Sequence, residues 1–176
     1  LAAEYGSQPL ALSNATADLA SATRSRLDFE TDFIEILQNP QHRQFRTERL
    51  RDAVSARELT HEWLDAFNAE LHSVGASMED VMGGGRESAL AFAESMPSTR
   101  VTISMKCSYH RNPQRSWSMN DVHDIDAASA AVAYCDAVLT DKHVWNAVTT
   151  ARELQPMQTF MPRKPEQLGE WLDQIP

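Results

Sequence analysis

Apolar positions recur along this chain at helical spacing over its first half and at mixed spacing over its second. Phe29, Phe33, Ile36 and Leu37 fall on one face of a helix over residues 27–37, and Asn39-Pro40 stops it. Before it, Pro9 to Leu12 reads as a short strand, and Ser13 reads as the N-cap of a helix carrying Ala15, Leu19 and Ala22. Residues 41–54 are arginine-rich and helical, and Ser55 with Glu58 forms the Ser-x-x-Glu box that opens the next helix. Leu59, Trp63, Leu64, Phe67 and Leu71 make that helix the clearest amphipathic one in the chain, and Gly75 ends it. A short acidic helix over 77–82 follows. Gly83-Gly84-Gly85 is a flexible joint, because no Gly-Lys-Ser/Thr follows it and no strand leads into it. A helix over 87–96 is closed by Pro97.

After Pro97 the pattern changes. Val101, Ile103 and Met105 alternate with Thr102 and Ser104, which predicts a strand. Asn120 or Asp121 caps a helix with Val122, Ile125, Ser129 and Val132 on one face, ending near Tyr134-Cys135. Ala137 to Thr140 predicts a short buried strand with Asp141 at its carboxyl end. A helix over 142–154, a strand over 158–161 and a last helix opened by Pro165 complete the chain. Strands separated by helices predict an α/β fold with a short, mostly parallel sheet and a high helix content.

Composition narrows the class. The 176 residues carry 16 Lys plus Arg against 25 Asp plus Glu, a formal charge of −9, with 42% apolar side chains. A chain of this length buries roughly 70% of its unfolded surface and needs neither disulfides nor a structural metal for a core. Cys107 and Cys135 lack any CxxC or Cys/His spacing and read as reduced thiols. No long apolar run and no basic-then-apolar leader is present, which predicts a cytoplasmic protein without a membrane partner. The net charge argues against nonspecific duplex binding. Charge is nevertheless segregated: Arg100, Lys106, Arg111 and Arg115 occupy a stretch without acids, and Asp121, Asp124, Asp126, Asp136 and Asp141 follow without a Lys or Arg.

The acids select a chemistry. On a helix, Asp121 and Asp124 lie about 60° apart, whereas Asp126 points roughly 140° away from Asp121. Asp141 occupies the strand-to-helix junction at which α/β sheets place functional groups. Converging carboxylates repel and call for a cation, and oxygen-only donors favour Mg²⁺ or Mn²⁺. The chemistry implied is metal-assisted phosphodiester hydrolysis.

The run Asn120-Asp121-Val122-His123-Asp124, followed by Tyr134-Cys135-Asp136-Ala137-Val138-Leu139-Thr140-Asp141-Lys142-His143, resembles the C-terminal half of PIN-like domains, a metal-dependent ribonuclease fold. More weakly, Pro9 to Ser13 followed by Asp18 is similar to that family's second strand and the helix bearing its second acid. The resemblance implies a single three-layer domain over 1–176 with a helical insert at about 41–96, whose first strand would precede residue 1. It implies Asp18, Asp121, Asp124 and Asp141 as metal ligands, with Asp121, Asp124 and Asp141 catalytic and Asp136 an outlying acid.

Under this reading single-stranded RNA is the substrate. Lys106, His110, Arg111 and Arg115 would hold its phosphates, while Tyr109 or Trp117 would stack on an unpaired base. His110, His123 and His143 are candidates for proton transfer. A catalytically silent module that binds RNA or a protein is the alternative, and a helical interaction protein using the arginine-rich 41–57 region is another. A second copy of the chain or an inhibitory protein are further partner classes.

Overall fold

The computed structural model describes the backbone of residues 8–175 and the side chains of residues 21–175. Its regular structure is helical: α1 (Gln8–Gln38), α2 (Arg43–Glu48), α3 (Leu50–Glu58), α4 (Leu64–Ser73), α5 (Met78–Met82), α6 (Arg86–Ser95), α7 (Pro97–His110), α8 (Met119–Tyr134), α9 (Lys142–Thr149) and α10 (Pro165–Leu172). Tight 3₁₀ turns lie at Pro40–His42 and Arg152–Met157, and a π-helical turn at Leu59–Trp63 joins α3 to α4. No helix among the described residues is long and apolar enough to cross a membrane.

The expected parallel sheet does not form. Among the described residues, extended pairing amounts to one parallel bridge, Ala137 with Phe160. Val138 N–H donates to Phe160 O and Phe160 N–H to Asp136 O, each at 2.8 Å. The α/β, three-layer expectation is therefore corrected to an all-helical fold.

Residues 101–105 show why the alternation misleads. Two residues apart on a helix is about 200° of rotation, so an apolar every-other-residue pattern also fits a helix buried on opposite sides. That is α7. Val101, Met105 and Tyr109 enter one core with Ile34, Ile125, Val132 and Val144. Ile103 and Cys107 enter a second core with Leu37, Leu50, Val54 and Ala93. Every residue from Val101 to Cys107 is buried.

Other boundaries move for local reasons. Pro97 opens α7 in its first turn, where a missing N–H costs nothing, rather than closing the helix before it. Residues 9–13, expected as a strand and a cap, lie within α1. Ser55 is buried inside α3 rather than capping a new helix. Ser118, not Asn120 or Asp121, is the N-cap of α8, and Asp121 is the reciprocal partner of its capping box. The 142–154 helix stops at Thr149 and resumes as a 3₁₀ turn. The end of α1 at Asn39-Pro40, the capped α5, α6 and α10 form close to where the sequence puts them.

The third side of α7 carries charge into the interior. Thr102, Lys106 and His110 follow one another at four-residue intervals and all are buried. Lys106 Nζ bonds Glu58 at 2.7 Å and Glu30 at 2.9 Å, and His110 Nε2 lies 2.6 Å from Glu30 Oε2. Arg57 reaches the same Glu30 oxygen at 3.3 Å and lies over the rings of Phe29 and Phe33. Glu30 thereby ties α1 to both α3 and α7.

Burial alone would push the Glu30 carboxyl up, but the His110 hydrogen bond with Lys106 and Arg57 hold it down at about 2. Burial pushes the His110 pKa below its usual value despite Glu30. A neutral imidazole donating from Nε2 is consistent with a buried Nδ1 that has no partner. Burial also raises the Glu58 carboxyl in spite of Lys106.

Removing the Glu30 charge leaves Arg57 without a carboxylate and Lys106 with Glu58 alone, so Glu30→Gln is expected to cost about 3 kcal/mol in urea unfolding. An unchanged midpoint would contradict the network. The pH dependence follows from the signs. The contribution of His110, depressed in the fold, is complete above roughly 6.5 and is lost as pH falls, and that of Glu30 is lost from roughly 4.3 downward. Glu58, raised in the fold, opposes this. The difference between wild type and His110→Gln isolates the first effect, because Gln still donates to Glu30. The variant should lose less stability than wild type between pH 7 and 5.

Candidate acidic site

The acids on the C-terminal side of α7 are positioned by two helix starts. Ser118 Oγ accepts from Asp121 N–H at 3.3 Å, and Asp121 Oδ2 accepts from Ser118 N–H at 2.8 Å and Ser118 Oγ–H at 2.7 Å. The box fixes the first turn of α8, and Asp124 stands one turn further along. Asp141 is the N-cap of α9, its Oδ1 accepting from His143 N–H at 2.5 Å and Val144 N–H at 3.1 Å. Both Asp121 and Asp141 therefore have capping work of their own.

The carboxyls nevertheless sense one another. Partial burial, then Asp141, then Asp121 push the Asp124 carboxyl above its usual range. Asp124 makes no hydrogen bond or ion pair among the described residues, although His123 and Arg115 draw its carboxyl down against that push. Tyr109 lies close to the same group: burial, with Asp121, Asp124 and Asp141 adding to it against Arg115, pushes its phenol up to about 12. The phenol oxygen is buried without a partner. Arg115 supplies the local positive charge. Its Nη2 donates to Asp121 Oδ1, and its guanidinium lies 3.7 Å from the centre of the Tyr109 ring.

The structure thus brings Asp121, Asp124 and Asp141 into one electrostatic neighbourhood with Arg115 and Tyr109. Asp18 lies outside the residues whose side chains are described. Asp126 is turned away and forms a bidentate pair with Arg26 on α1, at 2.8 Å for each bond. Among the described residues no group of three or more His, Cys, Asp or Glu side chains is arranged to hold a metal ion. Asp124 and the second oxygen of Asp141 are the acceptors left over for a hard cation; both oxygens of Asp121 are engaged.

The basic segment divides. Arg111 is exposed and Arg115 half-buried beside the acids, both within reach of solvent. Lys106 and His110 belong to the interior network, engaged with Glu30. Trp117 is buried, packed edge-to-face on Tyr109 at 5.6 Å and against His110 at 4.9 Å, so neither it nor Tyr109 presents a ring face to a base. His123 and His143 are exposed next to Asp124 and Asp141.

Sequence reasoning missed Glu30, Arg57 and Glu58. The available signal was charge inside apolar stretches: Arg57-Glu58 between Val54 and Leu59, and Lys106 between Met105 and Cys107. Charges so placed are buried only when paired.

Comparison with protein-family models, curated proteins and solved structures finds no match. With no family match and a helical fold, the resemblance to PIN-like domains is overturned. The matching residues are caps and helix starts, which any helical chain needs. Asp121 is the partner in a capping box, Asp141 is an N-cap, and Ala137 to Thr140 is an extended connector with one bridge.

Because partial burial, and then Asp141 and Asp121, raise the Asp124 carboxyl, its ionised form opposes folding at neutral pH. Asp124→Asn is expected to raise the melting temperature in EDTA-containing buffer at pH 7. A lower value would mean that Asp124 has a stabilising partner.

Proposed function

We propose that the chain is a divalent-cation-dependent ribonuclease acting on single-stranded RNA at the rim bearing Asp121, Asp124 and Asp141. What supports the reading is one observation: Asp124, with no hydrogen bond or ion pair among the described residues, is held up by partial burial and then by two further carboxyls at the starts of two helices.

The donor set suits a hard cation. Mg²⁺ or Mn²⁺ bound at Asp124 and the free Asp141 oxygen would supply an activated water and neutralise charge on the phosphate. The chain's own groups do the rest. His123, exposed beside Asp124, accepts a proton from the attacking water. Arg115 holds phosphate oxygens by its fork geometry, whereas Arg111 lies toward Cys107 and Glu153. His143, exposed beside Asp141, returns a proton to the leaving oxygen.

One observation favours a second reading, a catalytically silent binding module: Arg115 already neutralises Asp121 from within the chain. The two are separable. If the rim is catalytic, Mn²⁺ raises the melting temperature, Asp124→Asn removes most of that gain, and cleavage of an unstructured RNA stops in EDTA. The expected loss of cleavage in Asp124→Asn is about 10²–10³-fold, several kcal/mol of transition-state stabilisation. Cleavage that survives EDTA overturns the metal mechanism. RNA binding without cleavage or a Mn²⁺ response selects the silent module.

A further inference from the structure

A second cleft lies between α3 and α6, and none of its residues belongs to the acidic rim. Its volume is about 240 Å³. A dry cavity of roughly 150 Å³ admits benzene, so this space holds one ring or a branched aliphatic group with a short polar arm. Leu59 and Leu90 form part of an apolar wall.

Its mouth is electrostatically lopsided. Arg86 grips Asp52 with two bonds of 2.9 Å, and Arg49 Nε reaches the same carboxylate at 3.3 Å. Two guanidinium groups thus share one acid, and no other acid lines the cleft. Asp52 keeps both arginines at the mouth: its side chain is 18% exposed, against 52% for Arg49 and 59% for Arg86. Arg49 spends only Nε on Asp52, and its guanidinium, 5.6 Å from the centre of the Phe45 ring, keeps its terminal nitrogens for a second carboxylate.

The wall holds an unmet polar group as well. Ser55 is 2% exposed, and its hydroxyl has no hydrogen-bond partner among the described residues. A helical serine ordinarily returns that bond to the carbonyl four residues back, so an orphan hydroxyl lining a cleft marks a place for a guest atom or water.

We propose that this cleft is a binding site for a small organic acid with an apolar body, its carboxylate on Arg49 and Arg86 and its ring or branch between α3 and α6. Apolar walls supply area and the paired guanidinium groups fix orientation, the usual division of labour in small-molecule sites. The exposed arginines alone would bind any anion weakly; the cleft makes the apolar body matter.

The test is an amide NMR titration of the full chain with phenylacetate, phenylacetamide and acetate. Phenylacetate should shift α3 and α6 resonances saturably, with the uncharged amide and the bodiless acetate each at least about tenfold weaker, the loss of one charged or one apolar anchor. Arg86→Gln, on an exposed side chain, should weaken phenylacetate about tenfold. Ala89→Leu, a helix-compatible replacement in the wall, should block it while leaving α7 and α8 resonances in place. The proposal is overturned if phenylacetate gives no saturable shift, if either partial mimic binds equally well, or if Arg86→Gln changes nothing.

Discussion

The buried carboxylate of Glu30 is the constraint on which the arrangement of helices rests. The apolar faces of α7 are made of Val, Ile, Met and Cys, and such surfaces tolerate sliding by a helical turn of about 5.4 Å with modest loss. Charges do not. Glu30 receives Lys106, His110 and Arg57 at 2.9, 2.6 and 3.3 Å, so a slip of α7 by one turn would set Thr102 or His110 where Lys106 now meets Glu58. An uncompensated interior charge costs several kcal/mol, which makes the wrong register expensive. The ions here specify one packing, and the hydrocarbon around them supplies the driving force.

That division explains which parts of the fold the sequence discloses. Elements with one wet face announce themselves: the apolar stripe of Phe29, Phe33 and Leu37, the short acidic helix α5 and the Pro165 start of α10 all sit close to their expected places. Elements buried on several faces do not, because their periodicity has no polar side to set the phase. Val101 to Met105 is the clearest case, and it carried the α/β expectation with it. Short apolar stretches such as Ala137 to Thr140 gave the remaining strands, yet they lack neighbours with which to pair beyond Phe160.

The acidic rim was legible for a different reason. Asp121 and Asp124 share a helix face whatever fold surrounds them, and Asp141 caps the helix that follows, so their proximity survives the loss of the sheet. Composition could not show that Arg115 folds back onto Asp121 across the Tyr109 ring, nor that Lys106 and His110 turn inward. Those outcomes depend on which side of α7 meets α1, a tertiary fact. The cleft between α3 and α6 was equally invisible, since Asp52 and Arg86 lie far apart in the chain and only their helices' contact brings them together.

The solitary bridge between Ala137 and Phe160 has a consequence for how the molecule breathes. Two main-chain bonds, from Val138 and Phe160, tether the α8-to-α9 connector to the segment before α10, while α7 is enclosed by two cores. Side chains complete the attachment: Thr159 Oγ1–H donates to Val132 O at 2.6 Å, Trp145 Nε1–H donates to Met161 O at 2.8 Å, and Val138 and Met161 pack on the first core. Exchange at the Val138 and Phe160 amides therefore reports the docking of this connector on α8 and α9 and not the opening of a sheet.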